Sequence, residues 1–364
     1  LNSGSTAKTY YPTTTRLNIP RVDYLNNANG SLLLEPQRTN LMTYSEDFSN
    51  AAWGKAGGGT ASAPIVSANQ GISPDGTNNA FKVELNLNGG TTSSDRSRLT
   101  DNFIGATSTD YTFSFYAKAY SSSDVGKVVK FSVDNSSGDA LFTLTSEWKR
   151  FVFVGLSSNT NINQHIQLRG NESTSDSVAM LLYGYQAEQG SYATSYIPTS
   201  GTTATRNRDR CDNGGNDQVI NSNEGVLYAE ISSFVNTDSY RLISLNNGDS
   251  SNNIFFGLRA DTGYIYFFIQ KDGVTQLSII SSISPLNSMT KIALKFKEND
   301  CSCWINGVQI GSTDTSVNLP SGLNRLDMDF GNSSKSYPFA GNVKDLQIFK
   351  TALTDTELAT LTTI

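Results

Sequence analysis

One histidine, His165, stands in a chain of 364 residues. A Ser-His-Asp nucleophile would have only that base, and no G-x-S-x-G turn supplies a serine for it. Glycoside hydrolysis asks instead for two carboxyls, about 5 Å apart in the retaining form. The nearest acidic groupings are Glu230, Asp327 with Asp329, and Glu298 with Asp300. None has a spacing that sets an acid and a nucleophile on one strand face. Asp327 and Asp329, two apart on one face, read either as a metal site or as solvated carboxylates at a strand end, and the second reading is favoured. The run AGGGT from Ala56 lacks the lysine and the strand-to-helix context of a phosphate loop, so it reads as a turn. Cys211, Cys301 and Cys303 leave at least one thiol unpaired, and the last two, two apart in a strand, suit a mutual disulfide poorly. Without a C-x-x-C or a second histidine, the donor set of a structural zinc is missing.

The elements that would position any such residues are strands. Short apolar-polar alternations recur along nearly the whole chain, separated by Asn-Gly, Asp-Gly and Ser-Gly clusters, which is the pattern of an all-β sandwich. In YTFSFYAKAY, residues 111–120, Tyr111, Phe113, Phe115 and Ala117 share one face, and Tyr116 and Tyr120 lie on the other. KVVKFSV, KRFVFVGL, HIQLRG and SVAMLLYGYQ follow the same rule. Residues 202–222 carry low hydrophobicity, several glycines and no periodicity, and read as a linker. A second strand series then begins at GVLYAEIS. Asp272-Gly273 and Asn306-Gly307 mark two tight hairpins, and Thr354 with Glu357 forms a capping box for a short C-terminal helix. The expected organisation is an extended arm over 1–39, one sandwich over 40–201, the linker, and a second sandwich over 223–364. The arm, broken by Pro12, Pro20 and Pro36, is expected to pack on the first sandwich or on a neighbouring subunit.

Net charge is −6, with a pI near 4.9 and no run of Lys or Arg, which argues against nucleic acid or anionic lipid as partner. No stretch approaches the roughly 20 apolar residues that span a bilayer. Leu1 is not an initiator Met and no signal-peptide pattern follows it, so a fragment or trimmed product is expected.

Three blocks carry a resemblance. PRVDY at Pro20, SLLLEPQRTNLMTYSEDFSNAAW ending at Trp53, and QAEQGSYATSYIPTSGTTATR from Gln186 resemble bacteriophage tail-fibre and head-fibre type proteins. In that family such segments flank a jelly roll similar to carbohydrate-binding modules. WINGVQIG from Trp304 and GNVKDLQIFKTALTDTELATL from Gly341 resemble a laminin-G or concanavalin A-like lectin domain. The resemblance implies a virion location, non-enzymatic binding of host-surface glycans, contact with other virion proteins and a homotrimer. A glycan-binding accessory module of a bacterial polysaccharide-degrading or surface-adhesion protein is the alternative, with an extracellular or cell-surface location. Hydrolases of the same sandwich resemble one another in an E-x-D-x-x-E strand, which this chain lacks.

What remains is a binding surface. On HIQLRG, His165, Gln167 and Arg169 point one way and Ile166 and Leu168 to the core, offering donors and acceptors suited to sugar hydroxyls. Tyr116 and Tyr120 are expected on the matching polar face, as planes for pyranose rings. Ordinary solvent-facing strand residues would look the same. Trp53 reads more readily as core than as platform, and Trp304 either as a rim aromatic for ligand or as an interface residue. Both sandwich types, by resemblance, often hold a structural Ca²⁺, for which Glu46, Asp47, Asp75 and Glu188 are the candidates.

Overall fold

The computed structural model describes residues 20–24, 28–134, 139–234, 239–285 and 288–364. Among them, Gln37–Asn207 form one compact unit, while the segment up to Pro36 joins Arg208–Ile364 in a second. Strands are numbered along the chain.

The first unit is a jelly-roll sandwich. One sheet runs, in spatial order, β10 (Ala140–Thr143), β9 (Val128–Val133), β12 (Asn161–Arg169), β7 (Arg96–Ile104) and β4 (Gly54–Gly58). The facing sheet runs β11 (Lys149–Ser157), β8 (Thr109–Ala119), β13 (Ser177–Gln189), β6 (Ala80–Asn86) and β5 (Ser62–Gly71), and a ribbon pairs β3 (Arg38–Asn40) with β14 (Ala204–Arg206). Every ladder is antiparallel. The alternation of each strand delivers its large residues to one interior: Phe113 and Phe115 from β8, Phe131 from β9, Phe142 from β10 and Tyr185 from β13. Phe131 stacks on Phe153 with centroids 4.4 Å apart. Such contacts add to the area term that drives burial.

The second unit packs a seven-stranded sheet on a five-stranded one, and completes an all-β fold of two antiparallel sandwiches. The larger sheet runs β1 (Arg21–Asp23), β2 (Ser31–Leu34), β24 (Gly341–Phe349), β15 (Glu224–Ser233), β20 (Thr290–Lys297), β21 (Cys301–Ile305) and β22 (Val308–Asp314). The smaller runs β19 (Val274–Ile280), β18 (Ile265–Lys271), β17 (Asn253–Leu258), β16 (Arg241–Asn246) and β23 (Arg325–Asp327). Leu227, Ile243, Phe256, Phe267, Leu294 and Phe296 lie in the core between them. Both marked hairpins form, with Asp272 and Asn306 at φ of +49° ahead of glycines at +77° and +84°. Helix α1 (Asp355–Thr362) starts at Thr354, whose Oγ1 accepts from Glu357 N while Glu357 Oε2 accepts from Thr354 N. No helix among the described residues is long and apolar enough to cross a membrane.

Two expectations change. Residues 1–19 of the arm lie outside the described residues, but the part from Arg21 to Leu34 is a hairpin on the second unit, not a strap on the first: β2 pairs with β24 and Leu34 enters the second core. The stretch read as a linker is also built in. Ala204–Arg206 is a strand, Gly214 and Leu326 exchange backbone hydrogen bonds, and Ile220 is buried in the second core. Backbone groups in such a segment need partners, and a polar composition does not show that they lack them.

Candidate functional site

Three strands of the first unit build a polar face. On β12, Ile166 and Leu168 go to the core, so His165, Gln167 and Arg169 face away from it. The ladder sets Arg98 opposite Gln167, Arg96 opposite Arg169 and Thr100 opposite His165 on β7; on β9 it sets Lys130 opposite Gln167 and Ser132 opposite His165. Arg96, Arg98, Ser132, His165, Gln167 and Arg169, with Asp134 and Asp139, line an open cleft of about 200 Å³. Beyond β7, the residues that pair with Thr100, Arg98 and Arg96 are Gly54, Ala56 and Gly58, all small. A Cβ on Gly58 would stand 3.1 Å from Arg96 Cγ, so the glycine gives that arginine room to lie across β4.

The hydrogen bonds divide the face. Gln167 Nε2 donates to Ser132 Oγ at 2.6 Å, and Arg169 Nε donates to the Ser93 carbonyl at 3.1 Å. Lys130 is neutralised by Glu172 at 2.7 Å and Asp139 at 3.1 Å. His165, only 3% exposed, holds Nε2 3.1 Å from Asp134 Oδ1, and neither ring nitrogen meets hydrogen-bond geometry with a partner among the described residues. Burial pushes its pKa down and the nearby arginines add to that, against the pull of Asp134, so the imidazole is neutral near pH 7. Burial also lowers the pKa of Arg98, helped by Arg96 and Arg169.

This arrangement is not a nucleophilic triad. Ser132, His165 and Asp134 are neighbours, but the serine hydroxyl receives the Gln167 amide, and a working triad needs a hydrogen bond from nucleophile to base. Elsewhere, Glu230 is paired with Lys344 at 2.6 Å. The fully buried Asp327 is not a solvated carboxylate: it accepts from Asn213 N and Asn246 Nδ2 and faces Arg325 and Lys335.

The expected aromatic partners are elsewhere. Tyr116 lies on the outer face of β8 and Tyr120 directly follows that strand, in the opposite sheet from His165, Gln167 and Arg169. Two strands with matching polar faces can sit on the two outsides of a sandwich, and alternation alone does not tell the sides apart. Their rings already face cations, with Lys82 Nζ 4.3 Å from the Tyr120 centroid and Arg150 Cζ 5.7 Å from that of Tyr116. Trp53 is core, 1% exposed, with its indole N–H on the Tyr44 carbonyl. Trp304 is neither rim nor exposed interface: it is buried with Val226, Tyr228 and Ala293 beneath Leu358 of α1.

The four carboxylates named for calcium do not converge. Glu46 and Asp75 both meet the Tyr183 hydroxyl, at 3.1 and 3.0 Å, where one phenol proton serves two acceptors. Burial raises the Glu46 pKa, and Asp75 adds to it. Asp47 instead holds the turn at Ser49 and Asn50, and Glu188 spends its oxygens on Gln186 and Thr194. A calcium ion takes six to eight oxygens, so these four residues do not fit it as a set. No three His, Cys, Asp or Glu side chains gather among the described residues.

Arg96, Arg98, Ser132 and Asp134 were not singled out from sequence. RSRLT does carry a signal, since Arg96 and Arg98 alternate with a core Leu99. What it lacks is the identity of the strand that pairs alongside.

Residues 215–359 match the family model described as the concanavalin A-like lectin/glucanases superfamily, under half of the chain. Among curated proteins no sequence matches. Solved structures that are similar include the CBM40 of Ruminococcus gnavus IT-sialidase bound to α2,3-sialyllactose, at 17% identity and TM-score 0.35, covering 42% of this chain and 93% of that one. The tandem CBM22 domains of Paenibacillus barcinonensis Xyn10C align at 12% identity and TM-score 0.31, over 86% and 98% of the two chains. Domains LG4-5 of mouse laminin α1 align at 9% and 0.26, over 76% and 92%. The family match assigns the fold of the second sandwich to the concanavalin A-like lectins and glucanases.

Proposed function

We propose that the chain is a non-enzymatic glycan-binding protein and that the cleft on β7, β9 and β12 is its main sugar contact. The observation that carries this reading is the convergence of Arg96, Arg98, His165, Gln167 and Arg169 on one open face, in an arrangement with no base-bound nucleophile. Guanidinium and amide groups are the donors sugar hydroxyls need, and a few placed polar groups orient a ligand in a cleft. The family matched by the second sandwich includes both lectins and glucanases; the engaged state of Glu230 and Asp327 favours the binding side.

The setting we propose is a phage particle, as a fibre or decoration protein that assembles as a homotrimer with other virion proteins. That setting rests on the resemblance of the PRVDY, SLLLEPQRTNLMTYSEDFSNAAW and QAEQGSYATSYIPTSGTTATR blocks alone. Mass spectrometry of purified particles tests it: presence in particles supports it, and recovery only with secreted polysaccharide-degrading enzymes supports the accessory-module reading.

The binding reading is tested on a broad glycan array with the whole chain. Arg169→Ala with Gln167→Ala is expected to weaken binding about tenfold or more, since net hydrogen bonds to charged groups contribute about 1.5–3 kcal/mol. Release of reducing ends from any glycan, lost on mutating one carboxylate, would overturn the non-enzymatic assignment.

A further inference from the structure

Resting on that reading, we propose that the cleft selects a negatively charged sugar, one whose carboxylate or sulfate ester is gripped by Arg96, Arg98 and Arg169. Arg96 and Arg169 are direct cross-strand partners and Arg98 faces Gln167 between them. Like charges placed opposite one another in a ladder destabilise a sheet. Among the described residues they are offset only in part, by Asp134, which lines the same cleft and acts on Arg98 against the other two arginines. Of the other carboxylates near the cleft, Asp139 and Glu172 are committed to Lys130, and Asp134 also accepts from the Asn163 amide beside the neutral His165. None of the three arginines has an ion pair among the described residues, and buried Arg98 Nε has no hydrogen-bond partner there. One carboxylate thus faces three guanidiniums, in a chain whose overall charge is −6.

A neutral hydroxyl would leave that repulsion in place. An anion removes it, and its oxygens match the planar fork of a guanidinium in a bidentate pair. Burial strengthens the match most at His165, which is buried, and less at Arg98, which is half-buried. The neutral His165 lines the same cleft beside the arginines, and both its ring nitrogens lack a hydrogen-bond partner among the described residues.

His165 is the only histidine in the chain, so its ring resonances report on the cleft without assignment of anything else. The test titrates the whole chain with glucuronate, with glucose 6-sulfate and with glucose, and follows that ring by NMR. In parallel, polygalacturonate, its methyl ester, dextran sulfate and dextran are compared on a binding assay. At least one of the two acidic chemistries should shift the ring and bind about tenfold or more tightly than its neutral counterpart. The glucuronate and sulfate arms tell the two anions apart. Arg98→Gln should abolish the preference, while Arg98→Lys, which keeps the charge but not the fork, should restore part of it. Lys82→Gln with Lys118→Gln, on the opposite sheet, should leave it unchanged.

Equal affinity for acidic and neutral forms would overturn the charge selectivity and leave glycan binding standing. A preference that survives in Arg98→Gln, shown folded by an unchanged circular dichroism spectrum and melting temperature, would place the anion elsewhere and overturn it too. Absence of binding to every acidic and neutral glycan would overturn the proposed function itself.

Discussion

Asp101 lies on the core side of β7, 7% exposed, opposite Gln164, which in turn is held by the Tyr185 hydroxyl and contacts Met42 Sδ. Its Oδ1 accepts from Asn102 N at 2.7 Å, and its Oδ2 has no partner among the described residues. Burial pushes its pKa from 3.8 up to about 6, with the Asn102 N–H opposing. Between those values the folded chain holds a proton that the unfolded chain has released, so stability falls as pH rises through that window and stays lowered above it. At about 1.4 kcal/mol per pH unit the penalty reaches at most about 3 kcal/mol. Asp101→Asn should therefore stabilise the first unit by about 1–2 kcal/mol at pH 7.5, with the gain vanishing near pH 4. Calorimetry at the two pH values checks this, and a loss at pH 7.5 would contradict it. At this scale the sequence shows residue types but not their surroundings. Trp53 is legible as core because strand-borne tryptophans mostly are. Asp101 is not legible, because RLTDNF reads as an ordinary alternating strand whether or not water reaches the carboxylate.

Alternation made most strands readable, and the turn residues made two hairpins readable with them. It fails where its phase changes. In β13 a bulge between Tyr183 and Gln186, with Gly184 at φ +62°, shifts the alternation by one residue. Leu182 before it and Tyr185 and Ala187 after it all reach the core. The shift keeps Glu188 off the core face, where its oxygens go to Gln186 and Thr194 and not to a site shared with Glu46, Asp47 and Asp75. Helix α1 shows the reverse case: its capping box is local and legible, but the Trp304 beneath it is 50 residues upstream. Leu358→Ala should open a cavity over Trp304 and destabilise the second unit by about 2–4 kcal/mol. Thr354→Ala should cost only about 1 kcal/mol through the lost cap. Acrylamide quenching of tryptophan emission should rise in the first variant and change little in the second; equal quenching in both would remove α1 as the cover.

Across the whole molecule the boundaries follow strand pairing more than chain order. The second unit takes the two strands at one edge of its larger sheet from the N-terminal segment, and β24 would be that edge without them. Leu32 pairs with Val343, Leu33 with Asn342 and Leu34 with Gly341, and the Asn342 amide reaches Asp23 and the Ser31 hydroxyl. Arg21 ties the hairpin to Glu35 at 2.5 Å and to Asp209. The run SLLLEP announces an apolar strand, but a ladder more than 300 residues away leaves no trace in local spacing, so an arm was the natural reading. If the pairing governs, damage in β2 should be felt in the unit that follows residue 207 and nowhere else. Leu34→Ala removes a side chain 3% exposed in the second core and should cost that unit about 2–4 kcal/mol. Hydrogen exchange by mass spectrometry on the whole chain locates the effect. Amides of Glu224–Ser233 and Gly341–Phe349 should exchange faster, and those of Thr109–Ala119 should keep their protection. Faster exchange in Thr109–Ala119, with the other two segments unchanged, would return the arm to the first sandwich.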